Sequence, residues 1–475
     1  MTTAITIGMI IIYVAIMMGI GVYTARQTRS VSDFVLGSHS VGSWLTAFAY
    51  GTSYFSAVVF IGYAGQFGWT YGVSAAWVGV GNALLGSLLA WIVLGRRTRI
   101  MTQSLGAKTM PEYFEKRWNS KGLKIAAALI VFVFLIPYTA SVYNGLSRLF
   151  NMAFQIESEG AYKIIIIVMA LLTAIYVILG GYAATAINDF IQGIVMLIGI
   201  AAVVICAIQN QGGLTSALAA LGEIEVNGKT NTLNSVFGPD PLNLLGVVIL
   251  TSLGTWGLPQ MIHKFYAIKS ENDIKKGAVI STVFALIVAG GSYLLGGFDR
   301  LFCTLTEDGS GKTVISTLSN GKPDFDAMIP SLLHTALPDI LIGLVVVLVL
   351  SASMSTLSSL VLTSSSTLTI DLIKPNLKKC SDKKEMLIMR VLIAVFLVIS
   401  VLLAFNKNAS ISTLMSYSWG ALAGAFLGPF MYGLFSRKIT KPAVWTSFIL
   451  GIGLTLVHMF LFGFGWNPEL SKAAA

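Results

Sequence analysis

The stretch Ala352-Ser353-Met354-Ser355-Thr356-Leu357-Ser358-Ser359, followed by hydroxyls from Thr363 to Thr367, carries the most distinctive chemistry in the chain. On a helix, spacings of three and four bring Ala352, Ser355, Thr356 and Ser359 to one face, with Ser358 beside them. A ridge of uncharged oxygens suits a hard cation such as Na+, which takes several oxygen ligands and no soft donor. Helical hydroxyls commonly bond back to the carbonyl one turn earlier, and Thr363 to Thr367 read that way. The same reading is weaker for Ser355 to Ser359.

Two glycine-rich segments lie near the middle of apolar stretches: Gly51-Thr52-Ser53-Tyr54-Phe55-Ser56 and Gly254-Thr255-Trp256-Gly257-Leu258-Pro259. Such segments either allow close helix packing or mark a break whose freed backbone lines a cavity. One carboxylate lies inside an apolar run clear of its ends, Asp189 in Asn188-Asp189-Phe190-Ile191-Gln192-Gly193. An ionised aspartate at a helix centre costs on the order of 2.5 to 3.5 kcal/mol on insertion scales. No Lys or Arg is read as mid-run, so a bound cation, protonation, or water from the end about two turns away must compensate it. Mid-run aromatics are Tyr54, Tyr138, Trp256, Tyr417 and Trp419, and those beside the breaks can line a pocket. The four histidines (His39, His263, His334, His458) and three cysteines (Cys206, Cys303, Cys380) are scattered, so no metal cluster, nucleophile constellation or disulfide framework is visible.

The elements that must hold these residues follow from composition. A chain of 475 residues that is 55% hydrophobic and only 11% charged, with mean hydropathy +0.79, is outside the range of soluble domains. Its apolar runs, at roughly 4–25, 41–66, 72–95, 124–150, 162–180, 184–208, 241–268, 274–298, 338–371, 386–406, 410–436 and 442–463, number twelve, each near the roughly 20 residues that span a bilayer core. The expectation is an all-α integral membrane protein forming one multi-pass transport domain over 1–475. Two longer loops, 209–240 and 299–337, have room for short helices but for no separate domain.

The net charge of +10 is placed by topology. Lys and Arg gather in alternate loops (Arg26 and Arg29, Arg96 to Lys124, Lys264 to Lys276, Lys374 to Arg390, Arg437 to Lys441), while Glu157, Glu159, Glu223, Glu225, Asp324 and Asp326 fall in the intervening ones. This is the positive-inside pattern. It orients the chain in the plasma (inner) membrane with its N-terminus outside and argues against a nucleic-acid surface. The first run has no basic n-region before it, so it reads as a retained helix.

Both glycine-rich segments begin a group of five runs. Runs two to six (41–208) and seven to eleven (241–436) are therefore candidate repeats, with 4–25 as an extra N-terminal helix and 442–463 as a C-terminal one; interrupted helices at matching positions point to a transporter binding site near the midplane.

Several stretches together resemble the sodium:solute symporter family: Phe55-Ser56-Ala57 with Phe60-Ile61-Gly62, Pro111-Glu112-Tyr113-Phe114-Glu115-Lys116-Arg117, Gly180-Gly181-Tyr182 with Asp189 and Gln192-Gly193, and Met354-Ser355-Thr356-Leu357-Ser358. The resemblance covers nearly the whole chain. It implies an inverted five-plus-five helix repeat with two discontinuous helices, the LeuT-like arrangement, and a first Na+ held by the carbonyls of Thr52, Phe55 and Ala352 and the hydroxyls of Ser355 and Thr356. Some members hold a second Na+ through an aspartate and serines, matched here by Asp189, Ser355, Ser358 and Ser359. Candidate solute contacts are Ser53, Tyr54, Ser56, Tyr138, Thr255 and Trp256.

The solute is expected to be small and to bear a carboxylate, an amino acid (proline-like) or an organic acid (pantothenate-like), moved by alternating access with one or two Na+. Proline carriers have an aspartate where this chain has Tyr54 and an aromatic where it has Thr255, although Tyr138 matches. The alternatives are a sugar-type sodium symporter and, from another class, a cation channel using the hydroxyl-rich helix in its filter. A channel would gather its filter from repeated loops or subunits, and a membrane-embedded enzyme would need a nucleophile and base; neither pattern appears. The partners expected are Na+, the solute and lipid, with no obligate protein partner evident.

Overall fold

The computed structural model describes residues 2–26, 30–37, 40–155, 158–307, 311–318, 321–377, 381–405 and 410–463. Arg29, His39, Glu157 and Cys380 lie outside the described residues. Each of the twelve apolar runs is helical, and the runs begin where short polar side chains can cap the first free N–H groups. Ser120 accepts from Leu123 N ahead of Lys121–Phe154, Ser270 from Asp273 N ahead of Glu271–Gly296, Ser381 from Lys384 N ahead of Asp382–Ala404, and Ser410 from Thr413 N ahead of Ile411–Phe435.

Among the described residues, eight continuous helices are long and apolar enough to cross a membrane, or nine if one bent pair is a single span. The difference from twelve arises where runs merge. Glu159–Asn210 joins the fifth and sixth runs in 52 residues and turns at Gly181, whose φ of 57° and ψ of −149° are non-helical. A Cβ there would also lie 2.7 Å from the Phe34 carbonyl oxygen, so both backbone and space require glycine. Val58–Leu105 likewise joins the end of the second run to the third through Gly72, at φ 61°. Ile411–Phe435 has the length, with 25 residues, but its Gly, Ser and Tyr content makes it less apolar.

The second and seventh runs are discontinuous. Ser43–Tyr54 ends at Phe55, which is extended at φ −90° and ψ 117°, and the chain resumes as a wide helical turn over Val58–Tyr63. Pro241–Leu253 tightens into a short 3-10 turn at Gly254–Gly257, breaks at extended Leu258 (φ −84°, ψ 120°), and restarts as Pro259–Ala267, bent by 53°. Pro259 locks the first turn of the new half-helix and has no N–H to leave unpaired.

The ninth run, Asp339–Thr367, occupies the middle of the molecule and packs on the first, fourth and merged fifth-sixth helices. Its apolar window is 78% buried, against 22% for Ala4–Ala25 and 11% for Lys441–Leu461. The two terminal helices are peripheral, and side chains such as Ile11, Ile12, Leu450 and Leu454 point outward, as a lipid-facing surface demands. Of the two longer loops, the first holds the short helix Leu214–Glu223; the second holds Phe325–Ala336 and a parallel pairing of Cys303–Thr304 with Thr313–Val314.

Candidate functional site

The break in the second run lies against the middle of the ninth. The Ser355 hydroxyl donates to the carbonyls of Thr52 (3.1 Å) and Ala352 (3.0 Å). The Thr356 hydroxyl meets those of Thr52 (3.3 Å), Phe55 (3.4 Å) and Ala352 (3.1 Å). Phe55 turns its carbonyl toward Thr356 because its extended backbone takes it out of the helical ladder. Oxygens at these separations can surround a centre about 2–2.5 Å from each, the contact range of a hard cation. Five uncharged oxygens from two elements thus converge at a point where all five residues are buried. The residues expected at the first Na+ position are the ones that the fold brings together.

One turn along the ninth run the chemistry changes. Ser359 does not join the five oxygens; its hydroxyl lies 2.8 Å from that of Ser53 and receives the Lys264 ammonium at 2.9 Å. Lys264 also lies 3.7 Å from an Asp189 carboxylate oxygen and 5.3 Å from the centre of the Tyr182 ring. Lys264, Asp189 and Ser359 are all buried, at 2%, 0% and 3% exposure. This corrects the expectation that no basic side chain could pair with Asp189. Lys264 stands inside the seventh run but near its end, beside the basic loop; the 53° bend at Leu258 aims the final half-helix inward. The Ser358 hydroxyl donates back to the Ser355 carbonyl at 2.8 Å, which commits its proton to its own helix. Of the hydroxyls from Thr363 to Thr367 read as bonding back, Ser365 and Ser366 do so, to Leu362 and Thr363, while that of Ser364 is buried with no hydrogen-bond partner among the described residues.

Three rings meet above the break. Tyr54 and Tyr138 stand 5.9 and 6.1 Å, centre to centre, from Trp419 of the eleventh run, and Trp419 approaches the position a Cβ would take on Gly254 to 3.7 Å. The Tyr138 hydroxyl and the Trp419 indole N–H are buried, close to each other and, for Tyr138, to the Ser56 hydroxyl, but neither forms a well-aligned hydrogen bond among the described residues. An aromatic enclosure with unsatisfied polar tips is suited to a small solute having both apolar and polar parts. The other candidate solute contacts are placed differently. Ser53 donates to the Ala49 carbonyl at 2.6 Å, and the Ser56 hydroxyl accepts from Val58 N at 3.2 Å, capping the resumed helix. The Thr255 hydroxyl and Trp256 indole donate to the carbonyls of Ser252 (2.8 Å) and Leu85 (3.1 Å). Trp256 stitches the second break to the third run, while Thr255 bonds within its own run and only approaches the Gly86 carbonyl, at 3.5 Å. Trp419, read from sequence only as one mid-run aromatic among several, is the residue that completes the enclosure.

At the end opposite the basic loops, Arg148 of the fourth run pairs with Asp324 (2.8 Å) and Asp326 (3.7 Å), and Ile411 N donates to Asp326 at 3.0 Å. Burial pushes the Asp326 carboxyl up to about 6, with Arg148 and the Ile411 N–H pulling the other way. This cluster ties the loop helix Phe325–Ala336 to the fourth and eleventh helices.

Residues 34–451 match the sodium:solute symporter family. Sodium/proline symporters of Staphylococcus aureus, among them those of strains JH9 and USA300, are 30% identical over 459 residues, covering 94% of this chain and 85% of theirs. In fold, a Na+-coupled sialic acid symporter in a substrate-bound outward-open state aligns with a TM-score of 0.73 over 95% of this chain and 96% of that one, at 17% identity. A nucleobase-cation-symport-1 family transporter with bromovinylhydantoin bound aligns with a TM-score of 0.53 at 12% identity, over 93% and 98%. A broken helix facing a hydroxyl ridge, on a fold shared with sodium-coupled carriers and across a match of this extent, leads to one assignment: the chain belongs to the sodium:solute symporter family.

Proposed function

We propose that this sodium-coupled symporter imports a small carboxylate-bearing solute, amino acid or organic acid, by alternating access, with the transported Na+ bound where Ser355 and Thr356 face the broken second helix. The convergence of those two hydroxyls with the carbonyls of Thr52, Phe55 and Ala352 carries the reading. Sodium there would bridge the second and ninth runs, so its arrival favours the arrangement in which they touch and its departure loosens it. That differential affinity is what couples ion to conformation.

The solute is placed among Tyr54, Tyr138 and Trp419, next to both breaks. Likeness to sodium/proline symporters supports an amino-acid-like solute, while Tyr54, with its hydroxyl on the Thr251 carbonyl at 3.3 Å, narrows the site where proline carriers have a carboxylate. The concentration of Lys and Arg at one end supports a plasma-membrane orientation with the N-terminus outside. Under that orientation a small cavity of about 10 Å³, lined by the buried Thr109, Pro259, His263, Tyr266, Thr363 and Ser366, lies on the cytoplasmic side of Ser359. The inverted repeats are read as 41–208 and 241–436.

The test is uptake into proteoliposomes of labelled proline, other amino acids, organic acids and sugars, with inward Na+ gradients and set voltages. Saturable, sodium-dependent, voltage-sensitive uptake of a carboxylate-bearing solute is expected. Sodium-driven uptake confined to sugars would replace the solute assignment, and sodium conductance without solute would replace the carrier reading with the channel.

A further inference from the structure

We infer that the Lys264 ammonium is a tethered cation filling the place beside Asp189 and Ser359 that a second sodium would need, so that the protein binds one sodium ion rather than two. The inference rests on the reading that Ser355 and Thr356 hold the transported ion.

The hydrogen bonds around Lys264 run in one direction. Ser53 gives its proton to the Ala49 carbonyl, which leaves the 2.8 Å contact with Ser359 to be donated by Ser359. The Ser359 oxygen then accepts from Lys264 at 2.9 Å. A lone pair that a metal ion would use is therefore occupied by the ammonium, and the proton of the same hydroxyl is committed to Ser53. The nearest formal negative charge, Asp189, is matched by the one positive charge at 3.7 Å, so the buried pair is neutral before any ion arrives. A sodium ion added at the same carboxylate would face the ammonium a few ångströms away, in a place with no exposed surface to screen it.

The same chain of contacts gives the lysine a mechanical role. It ends on Ser53, which precedes Tyr54 and follows Thr52, whose carbonyl receives both hydroxyls of the first position. The ammonium thus braces the end of the first half of the broken helix from the seventh run, while Tyr182 closes over it at 5.3 Å. Unlike a sodium ion, this charge stays with the protein through the cycle.

Equilibrium binding of labelled sodium to the purified full chain tests the inference without knowledge of the solute. The expected result is one ion per wild-type chain with a Hill coefficient of one, and none after combined Ser355→Ala and Thr356→Ala substitution. Lys264→Gln, which frees Asp189 and Ser359, is expected to raise the count from one to two, and the Lys264→Gln/Asp189→Asn pair to return it to one. Two ions bound by the wild type, or one retained when both hydroxyls are removed, overturns the inference while leaving sodium coupling intact. Lys264→Gln that stays folded and still binds one ion also overturns it. No sodium binding at all in the wild type would instead remove the first position, and the inference with it. Should Lys264→Gln fail to fold, the wild-type count and the Ser355→Ala/Thr356→Ala result decide.

Discussion

Two oxygen clusters lie one helical turn apart on the ninth run and solve opposite problems. At Ser355 and Thr356 every contributing atom is neutral, supplied by hydroxyls and by carbonyls released at a helix break. At Ser359 the neighbours are a carboxyl and an amine of opposite charge type, Asp189 and Lys264, both buried. The first cluster has no fixed charge, the arrangement that the proposed uptake and release of a monovalent ion requires. The second is already compensated, and removal of either partner leaves the other uncompensated in a place that water does not reach. Proximity on one helix face therefore says little about shared function; the charge inventory of the facing helices decides.

The comparison breaks most sharply at the charged pair. Asp189→Asn leaves the Lys264 ammonium without its counter-charge, and a loss of about 3–5 kcal/mol in stability is expected, with Asp189→Asn/Lys264→Gln recovering most of it. Thermal unfolding of the three forms in detergent measures this, and additive losses in the pair would show that the two charges do not compensate each other. At the neutral cluster, Ser355→Ala or Thr356→Ala alone is expected to raise the sodium concentration for half-activation about tenfold, or about 1.4 kcal/mol, with the fold intact. Unchanged sodium dependence in both would remove the site assignment.

The enclosure above both clusters sharpens the contrast between ion and solute contacts. Trp419→Phe or Tyr138→Phe removes one unsatisfied polar tip, and a loss of about 1 kcal/mol in solute affinity, roughly fivefold in apparent KM, is expected with sodium activation unaltered. A shift in sodium activation of equal size would place those tips at the ion instead.

The smallest effect concerns a buried carboxylate away from the bilayer core. Because Asp326 titrates at about 6 when folded and near the ordinary 3.8 when unfolded, its contribution is fully present below about 3.8 and is lost as pH rises through about 6. Acidifying from about 7.5 to 5.5 should therefore stabilise the wild type relative to Asp326→Asn by on the order of 1 kcal/mol. Parallel pH dependence of melting in the two proteins would contradict that account.

Much of this was legible in the residues. Apolar runs gave the helices because a chain in lipid must satisfy its backbone internally. Gly51 to Ser56 and Gly254 to Pro259 marked the two breaks, since Gly and Pro lower the cost of leaving a helix. Spacing of three and four placed Ser355, Thr356 and Ser359 on one face. Helix count was less legible: Gly181 and Gly72 turn the chain within continuous helical stretches, and hydropathy does not report backbone direction.

What the sequence by itself determined was the inventory: a polytopic helical protein, two interruptions, a hydroxyl ridge and one carboxylate within a run. Which oxygens meet, and that Lys264 stands beside Asp189, only the tertiary structure decided. The physical reason is that Lys264 and Asp189 are 75 residues apart in the chain. A bend of 53°, whose place Gly254 to Pro259 marked but whose direction no local pattern reports, brings a residue near a span end to the protein's centre.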